Sequence, residues 1–228
     1  MQKVVFEKLD QFDYRINESF KTIRTNIQFS GKDTKTILFT SCTPNEGKSS
    51  VTFNLARSFA ENGKKVILID GDLRKSVLIG RYKAGSVEAG LSNHLSGQHD
   101  LDEVICETNI PNMDIIFAGK VPPNPAELLG SDTFKEMIAK LREIYDYILI
   151  DSPPLGSVID SAVIATVADG AVLIIENNAI SYRFVQDVKG QIEKSGCKII
   201  GAVLNKVEMK KHGKYGKYYG KYYGNYGK

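Results

Sequence analysis

Long apolar runs are missing from this 228-residue sequence, and none approaches the roughly 18–20 residues needed to cross a bilayer. The opening stretch, MQKVVFEKLDQFDYR, is charged throughout and lacks a signal-peptide core, so no secretory leader is expected. Cysteine is scarce too. Cys42, Cys106 and Cys197 are odd in number and unpatterned, which argues against a disulfide framework and suits a reducing cytosol. The triplet Asn17-Glu18-Ser19, a formal glycosylation acceptor, is then a chance match. Acid is absent from the far end: from Lys210 onward there are six lysines and no Asp or Glu, a charge of +6. The rest of the chain holds 24 basic and 27 acidic residues, so a body of −3 accounts for the overall +3. Basicity therefore belongs to the tail, and the body is not expected to bind nucleic acid.

What is present suits an ordinary soluble core, with 42% hydrophobic residues. Residues 1–30 are read as a helical segment that can serve in oligomerisation, because Ile16, Phe20, Ile23 and Ile27 form one apolar stripe. From 31 to 208 short apolar runs alternate with amphipathic segments. Strands are expected at 36–41, 65–70, 113–117, 146–151, 171–176 and 198–204, and helices at 48–62, 125–130, 131–144, 158–168 and 182–195. Gly63 and Gly196 stand where helices would end. Strands that are apolar almost throughout are buried on both faces, so the expected fold class is α/β, a doubly wound and mostly parallel sheet. Residues 209–228 form a separate tail, which its glycines are expected to keep flexible. Ligands of such sheets bind beyond the carboxyl ends of the strands.

The polar motifs fall at those ends. SCTPNEGKSS (41–50) joins the first of these strands to a helix, and Gly47-Lys48-Ser49 at such a junction is the core of a nucleotide phosphate loop. Backbone N–H groups there face phosphates, Lys48 reaches the β and γ oxygens, and the Ser49 hydroxyl suits Mg²⁺. Cys42 stands where the full pattern has glycine. VILIDGDLR ends a strand with Asp70, Asp72 and Arg74, and YILIDSPP ends another with Asp151. One acid at a strand end is ordinarily a solvated turn. Three beside a phosphate loop match magnesium, which takes few carboxylates and bridges phosphates.

EGKSS with ILIDGDLRK and ILIDSPP resembles the Walker A, A′ and B set of bacterial tyrosine kinases of the capsule and exopolysaccharide type. VPPNPAELL (121–129), GLSNHLSG (90–97), IIGAVLNK (199–206) and the C-terminal tyrosines fit the same family, so the resemblance spans residues 15–228. It implies a P-loop fold of the MinD/ParA-like kind and an ATP-dependent, Mg²⁺-dependent kinase that phosphorylates its own tyrosine cluster. Asn45, Glu46, Gly47, Lys48, Ser49 and Ser50 would bind nucleotide. Ser49, Asp72 and Asp151 would organise the metal, Asp70 would take the phenol proton, and Asn205 would lie near the adenine. The implied partners are a transmembrane activator of the polysaccharide co-polymerase type, further copies in a ring-like homo-oligomer of octameric type, and a tyrosine phosphatase. The implied location is cytoplasmic, at the inner face of the cell membrane. Two positions depart from the family pattern. Asn45 replaces a glycine, and asparagine tolerates left-handed backbone better than most residues. Glu18, Lys21 and Arg24 stand for a Glu-x-x-Arg-x-x-Arg oligomerisation motif, with Lys21 lacking the planar fork of arginine.

Two other readings stay open from sequence. A ParA/MinD-type positioning ATPase shares the fold, but has a signature lysine where this chain has Thr43. A binding module would use the tail's lysines and aromatics on nucleic acid, where a stacked base contributes roughly 1–3 kcal/mol. The tail itself carries Tyr215, Tyr218, Tyr219, Tyr222, Tyr223 and Tyr226, six of the eleven tyrosines, spaced by Gly, Lys and one Asn. Beside a phosphate loop it reads as the enzyme's own substrate, with transfer in trans implied by the family.

Overall fold

Strands buried on both faces need cover on both, and the chain supplies it by sending helices to each side of the sheet. The computed structural model describes residues 1–208. Its strands are β1 (Gln2–Val4), β2 (Thr36–Ser41), β3 (Val66–Asp70), β4 (Cys106–Thr108), β5 (Met113–Ile116), β6 (Tyr147–Asp151), β7 (Gly170–Glu176) and β8 (Ile199–Asn205). The long helices are α1 (Tyr14–Phe29), α2 (Lys48–Glu61), α7 (Asp132–Ile144) and α9 (Tyr182–Lys194). Shorter ones are α3 (Leu78–Tyr82), α4 (Leu91–Leu95), α5 (Leu101–Val104), α6 (Pro125–Leu129) and α8 (Asp160–Ala165).

The strands form one sheet in the order β1-β4-β5-β3-β6-β2-β7-β8. Every neighbouring pair is parallel except β4 with β5. The two-residue period of a strand then sorts side chains to opposite cores. Along β3, Val66 and Leu68 pack with Ile27 of α1 and Phe53 and Phe59 of α2. Ile67 and Ile69 pack instead with Phe134 and Leu141 of α7 and Val188 of α9. The sheet is doubly wound, as its sequence pattern implies. Because β2, β3, β6 and β7 run the same way, Ser41, Asp70, Asp151 and Glu176 all leave one edge together.

Each strand and helix expected within 31–208 is present, with bounds shifted by a few residues at most. Gly63 and Gly196 have φ of 76° and 86°, the left-handed geometry that ends a helix. The two short strands and α3 to α5 went unread, because three to five residues carry too little periodicity. Residues 1–30 hold more than a helix. Gln2–Val4 adds an edge strand on β4, and an arm then crosses to α2. Phe6 stands edge-on to Phe53, with ring centroids 4.9 Å apart, and Phe53 stacks on Tyr82 at 3.6 Å. Asp10 accepts from Asn54 (2.8 Å) and from the Tyr82 hydroxyl (3.1 Å). Asp13 then caps α1 by accepting from the Ile16 N–H at 2.9 Å. Of the apolar stripe, Ile27 is buried and Phe20 and Ile23 pack on the core, while Ile16 is exposed.

All three cysteines are free and buried, and burial pushes the Cys42 thiol up to about 12. No helix among the described residues is long and apolar enough to cross a membrane. Phe53 joins the arm, α2 and α3, so Phe53→Ala is expected to cost about 3–5 kcal/mol in denaturant unfolding. A cost below about 1 kcal/mol would mean that the arm's packing contributes little.

Candidate active site

The loop after β2 is shaped by two left-handed residues. Asn45 has φ of 68° and Gly47 of 87°, and α2 starts directly after Gly47 with no side chain capping its first turn. Uncapped first-turn N–H groups and the positive end of the helix dipole make this an anion seat. The left-handed Asn45 accords with the tolerance expected of asparagine where the family has glycine. A β-carbon at Gly47 would lie 2.2 Å from the Asn205 amide nitrogen, so the backbone there must stay bare.

Glu46 is buried, and its carboxylate faces inward. It accepts from the Thr43 N–H at 2.6 Å, the Thr43 hydroxyl at 2.7 Å and the Glu176 N–H at 2.9 Å. Its side chain braces the loop from within. Asn205 lies behind the same loop and donates to the Glu46 carbonyl at 2.8 Å. The Ser50 hydroxyl turns from the loop and reaches Asp10 at 3.3 Å.

Lys48 and Asp151 form a buried ion pair, 2.7 Å from Nζ to Oδ1, with side chains 8% and 2% exposed. Lys48 Nζ also lies 3.2 Å from the Ser49 hydroxyl. Asp70 is the register partner of Asp151 on the neighbouring strand, so two carboxylates leave the sheet side by side. Burial, and then the charge of Asp151, raise Asp70 to about 7, against a lowering contribution from a short hydrogen bond donated by the Ser76 hydroxyl. The Gly71 N–H donates to the Asp151 carbonyl at 2.7 Å and ties the two strand ends together.

Asp72 is half-buried and organises a local turn, accepting from the Lys75 N–H at 2.9 Å and the Arg74 N–H at 3.3 Å. Arg74 crosses to α8 and grips Asp160 through both fork positions, at 2.7 and 2.9 Å, with the Asp160 side chain fully buried. The loop bearing Asp72 is thereby fastened to the segment that follows Asp151. Asp160, Ser76, Glu176 and Lys206 went unread in the sequence. Their roles depend on which loops meet, and only Lys206, as the last residue of IIGAVLNK, lay within a motif.

The residues fit a magnesium nucleotide. Among the described residues no group of three or more His, Cys, Asp or Glu builds a metal cage. Magnesium needs none, since it is commonly held by one or two carboxylates, waters and phosphates. Asp70, Asp72 and Asp151 outnumber the one ammonium paired among them, which leaves negative charge for a divalent cation to offset.

The other site expectations fall elsewhere. Glu18 and Lys21 pair at 2.7 Å on the exposed face of α1. Arg24 instead donates within its own chain, to the Ser58 carbonyl at 2.8 Å and the Ser58 hydroxyl at 3.1 Å. The tyrosines from Tyr215 to Tyr226 lie outside the described residues.

A family model described as an AAA domain matches residues 34–199. The chain is 46% identical to the tyrosine-protein kinase CpsD of Streptococcus agalactiae over 218 residues, 95% of each chain. Among solved structures it resembles the chimerical protein CapA2B2, with 30% identity, a TM-score of 0.82, and coverage of 91% of this chain and 94% of that one. It also resembles the septum site-determining protein MinD of Pyrococcus horikoshii OT3, complexed with Mg-ADP, with 28% identity, a TM-score of 0.65, and coverage of 75% and 69%. The fold is thus the P-loop type shared with MinD-like ATPases.

Asp70 gives the site a pH signature. Its folded pKa is raised from 3.8 to about 7, so its contribution to stability is fully present below about 4 and is lost as pH rises through 7. Thermal unfolding without nucleotide should therefore show Asp70→Asn gaining on wild type between pH 5 and pH 8. An equal difference at both pH values would contradict the raised pKa.

Proposed function

The chain belongs to the bacterial tyrosine-protein kinases, and from that premise we propose that it uses Mg·ATP to phosphorylate its own C-terminal tyrosines. The observation that carries this reading is the meeting of Lys48, Asp151 and Asp70 at one edge of the sheet, just outside a bare-backbone phosphate loop. Phosphoryl transfer is governed by positioning and charge stabilisation, and these residues can supply both.

Lys48 would exchange Asp151 for the terminal phosphates, helped by the N–H groups at the start of α2. Ser49, Asp72 and Asp151 would hold Mg²⁺, which draws charge from the phosphates when bound. The tyrosine oxygen bonds to the γ-phosphorus as the bond to the bridging oxygen of ADP breaks, and the phenol proton passes to Asp70. A carboxylate near pH 7 is well matched to that proton transfer. Arg74 and Asp160 keep the Asp72 loop in place while this happens.

The acceptors are Tyr215, Tyr218, Tyr219, Tyr222, Tyr223 and Tyr226, presented by one copy to the site of a neighbour in a ring-like homo-oligomer. Lys21, exposed on α1, and its half-buried partner Glu18 are the side chains that would meet that neighbour. A transmembrane activator of the polysaccharide co-polymerase type would hold the kinase at the inner face of the membrane and link it to capsule or exopolysaccharide synthesis. A cognate tyrosine phosphatase would reset it. Each phosphate adds about −1.5 to −2 charges, so four turn a +6 tail neutral or slightly negative. Attraction to the carboxylate-rich site is then lost.

Mass spectrometry after incubation with Mg·ATP tests the reading. Phosphate is expected on residues 215–226 of the wild type and should be absent from Lys48→Met. ATP hydrolysis without phosphotyrosine would point instead to a positioning ATPase.

A further inference from the structure

The end of β8 holds the phosphate loop from behind with two consecutive side chains. Asn205 Nδ2 donates to the Glu46 carbonyl at 2.8 Å, and Lys206 Nζ donates to the Asn45 carbonyl at 2.7 Å. Lys206 also pairs with Glu176 at 2.9 Å, and its own backbone is left-handed, with φ of 55°. Glu176 closes the circuit. It is the register partner of Asn205 on β7, and its N–H donates to the buried Glu46 carboxylate at 2.9 Å. The Lys206–Glu176 ion pair is too exposed to contribute much by charge alone, so its value is geometric.

That geometry acts on the loop's amides. A trans peptide unit is planar, with C=O and N–H on opposite sides. A carbonyl of Asn45 turned back to Lys206 therefore turns the Glu46 N–H the other way, and a carbonyl of Glu46 turned to Asn205 does the same to the Gly47 N–H. We propose that Asn205 and Lys206 are a clasp that sets these two loop amides for the phosphates, and through which nucleotide occupancy is coupled to the root of the tyrosine tail. The inference rests on the kinase reading and adds positioning residues to it. In the sequence, eight residues separate Lys206 from Tyr215. Phosphates that draw the loop amides forward hold the clasp closed and fix where the substrate segment begins. By reciprocity, a closed clasp favours nucleotide.

Calorimetric titration of Mg·ADP into the full chain tests the clasp. Asn205→Ala and Lys206→Ala should each weaken binding roughly three- to tenfold, the range spanned by one ordinary net hydrogen bond. Lys206→Arg, which keeps a donor, should recover most of the loss. Lys206→Ala should lower the thermal midpoint less without nucleotide than with Mg·ADP bound, since bound phosphates hold the clasp closed. Amide hydrogen exchange across Val203–Lys206 should slow when Mg·ADP binds the wild type. Wild-type affinity in both alanine variants, or exchange in β8 unmoved by nucleotide, would overturn the clasp while leaving the kinase reading intact. A wild type that takes up no Mg·ADP would overturn both.

Discussion

Two buried carboxylates side by side, one of them paired with a buried ammonium, set the terms for this protein. Asp70 and Asp151 end adjacent parallel strands in matching register, and Lys48 approaches Asp151 from the helix that starts beside them. Burial, and then the neighbouring charge of Asp151, raise the Asp70 carboxyl to about 7. Removing one member of a buried ion pair strands the other, so the cluster holds together or fails together. The sheet order makes it possible: β6 lies between β3 and β2, so the ends of β3 and β6 that bear Asp70 and Asp151 stand beside the strand that leads through the phosphate loop to Lys48 at the start of α2. The surplus of carboxylate suits a kinase that would take its nucleotide together with a divalent cation.

Around that cluster, neighbouring elements fix each loop from outside. Glu46 spends its carboxylate on Thr43 and Glu176, while the end of β8 holds the two loop carbonyls. Arg74 spans from the Asp72 turn to Asp160. The arm reaches α2 through Asp10, just behind the phosphate loop. The ligand-facing surface is left mostly to backbone amides, one ammonium and the carboxylates, and the bracing lies on the far side.

Much of this was legible because the signals are local and redundant. Apolar runs such as VILID and YILID declare strands buried on both faces, and Gly47-Lys48-Ser49 between a strand and a helix declares a phosphate loop. The left-handed Asn45 accords with the tolerance expected of asparagine where the resembling family has glycine. What the sequence conceals is orientation. Nothing in its pattern distinguishes a Glu46 that faces a ligand from one that turns inward to Thr43, or an Asn205 near adenine from one behind the loop. Arg24 likewise is expected, by resemblance, to serve contacts between copies, and it donates to Ser58 of its own chain. The strand at Gln2–Val4 was hidden because three residues have no period, and only its pairing with β4 defines it.

A structure of the full chain with Mg²⁺ and a non-hydrolysable ATP analogue tests the central claim most directly. Lys48 Nζ should have left Asp151 for the terminal phosphates, with Asp151 turned to the metal or its waters. A Lys48–Asp151 pair still closed at 2.7 Å while nucleotide occupies the loop would contradict it.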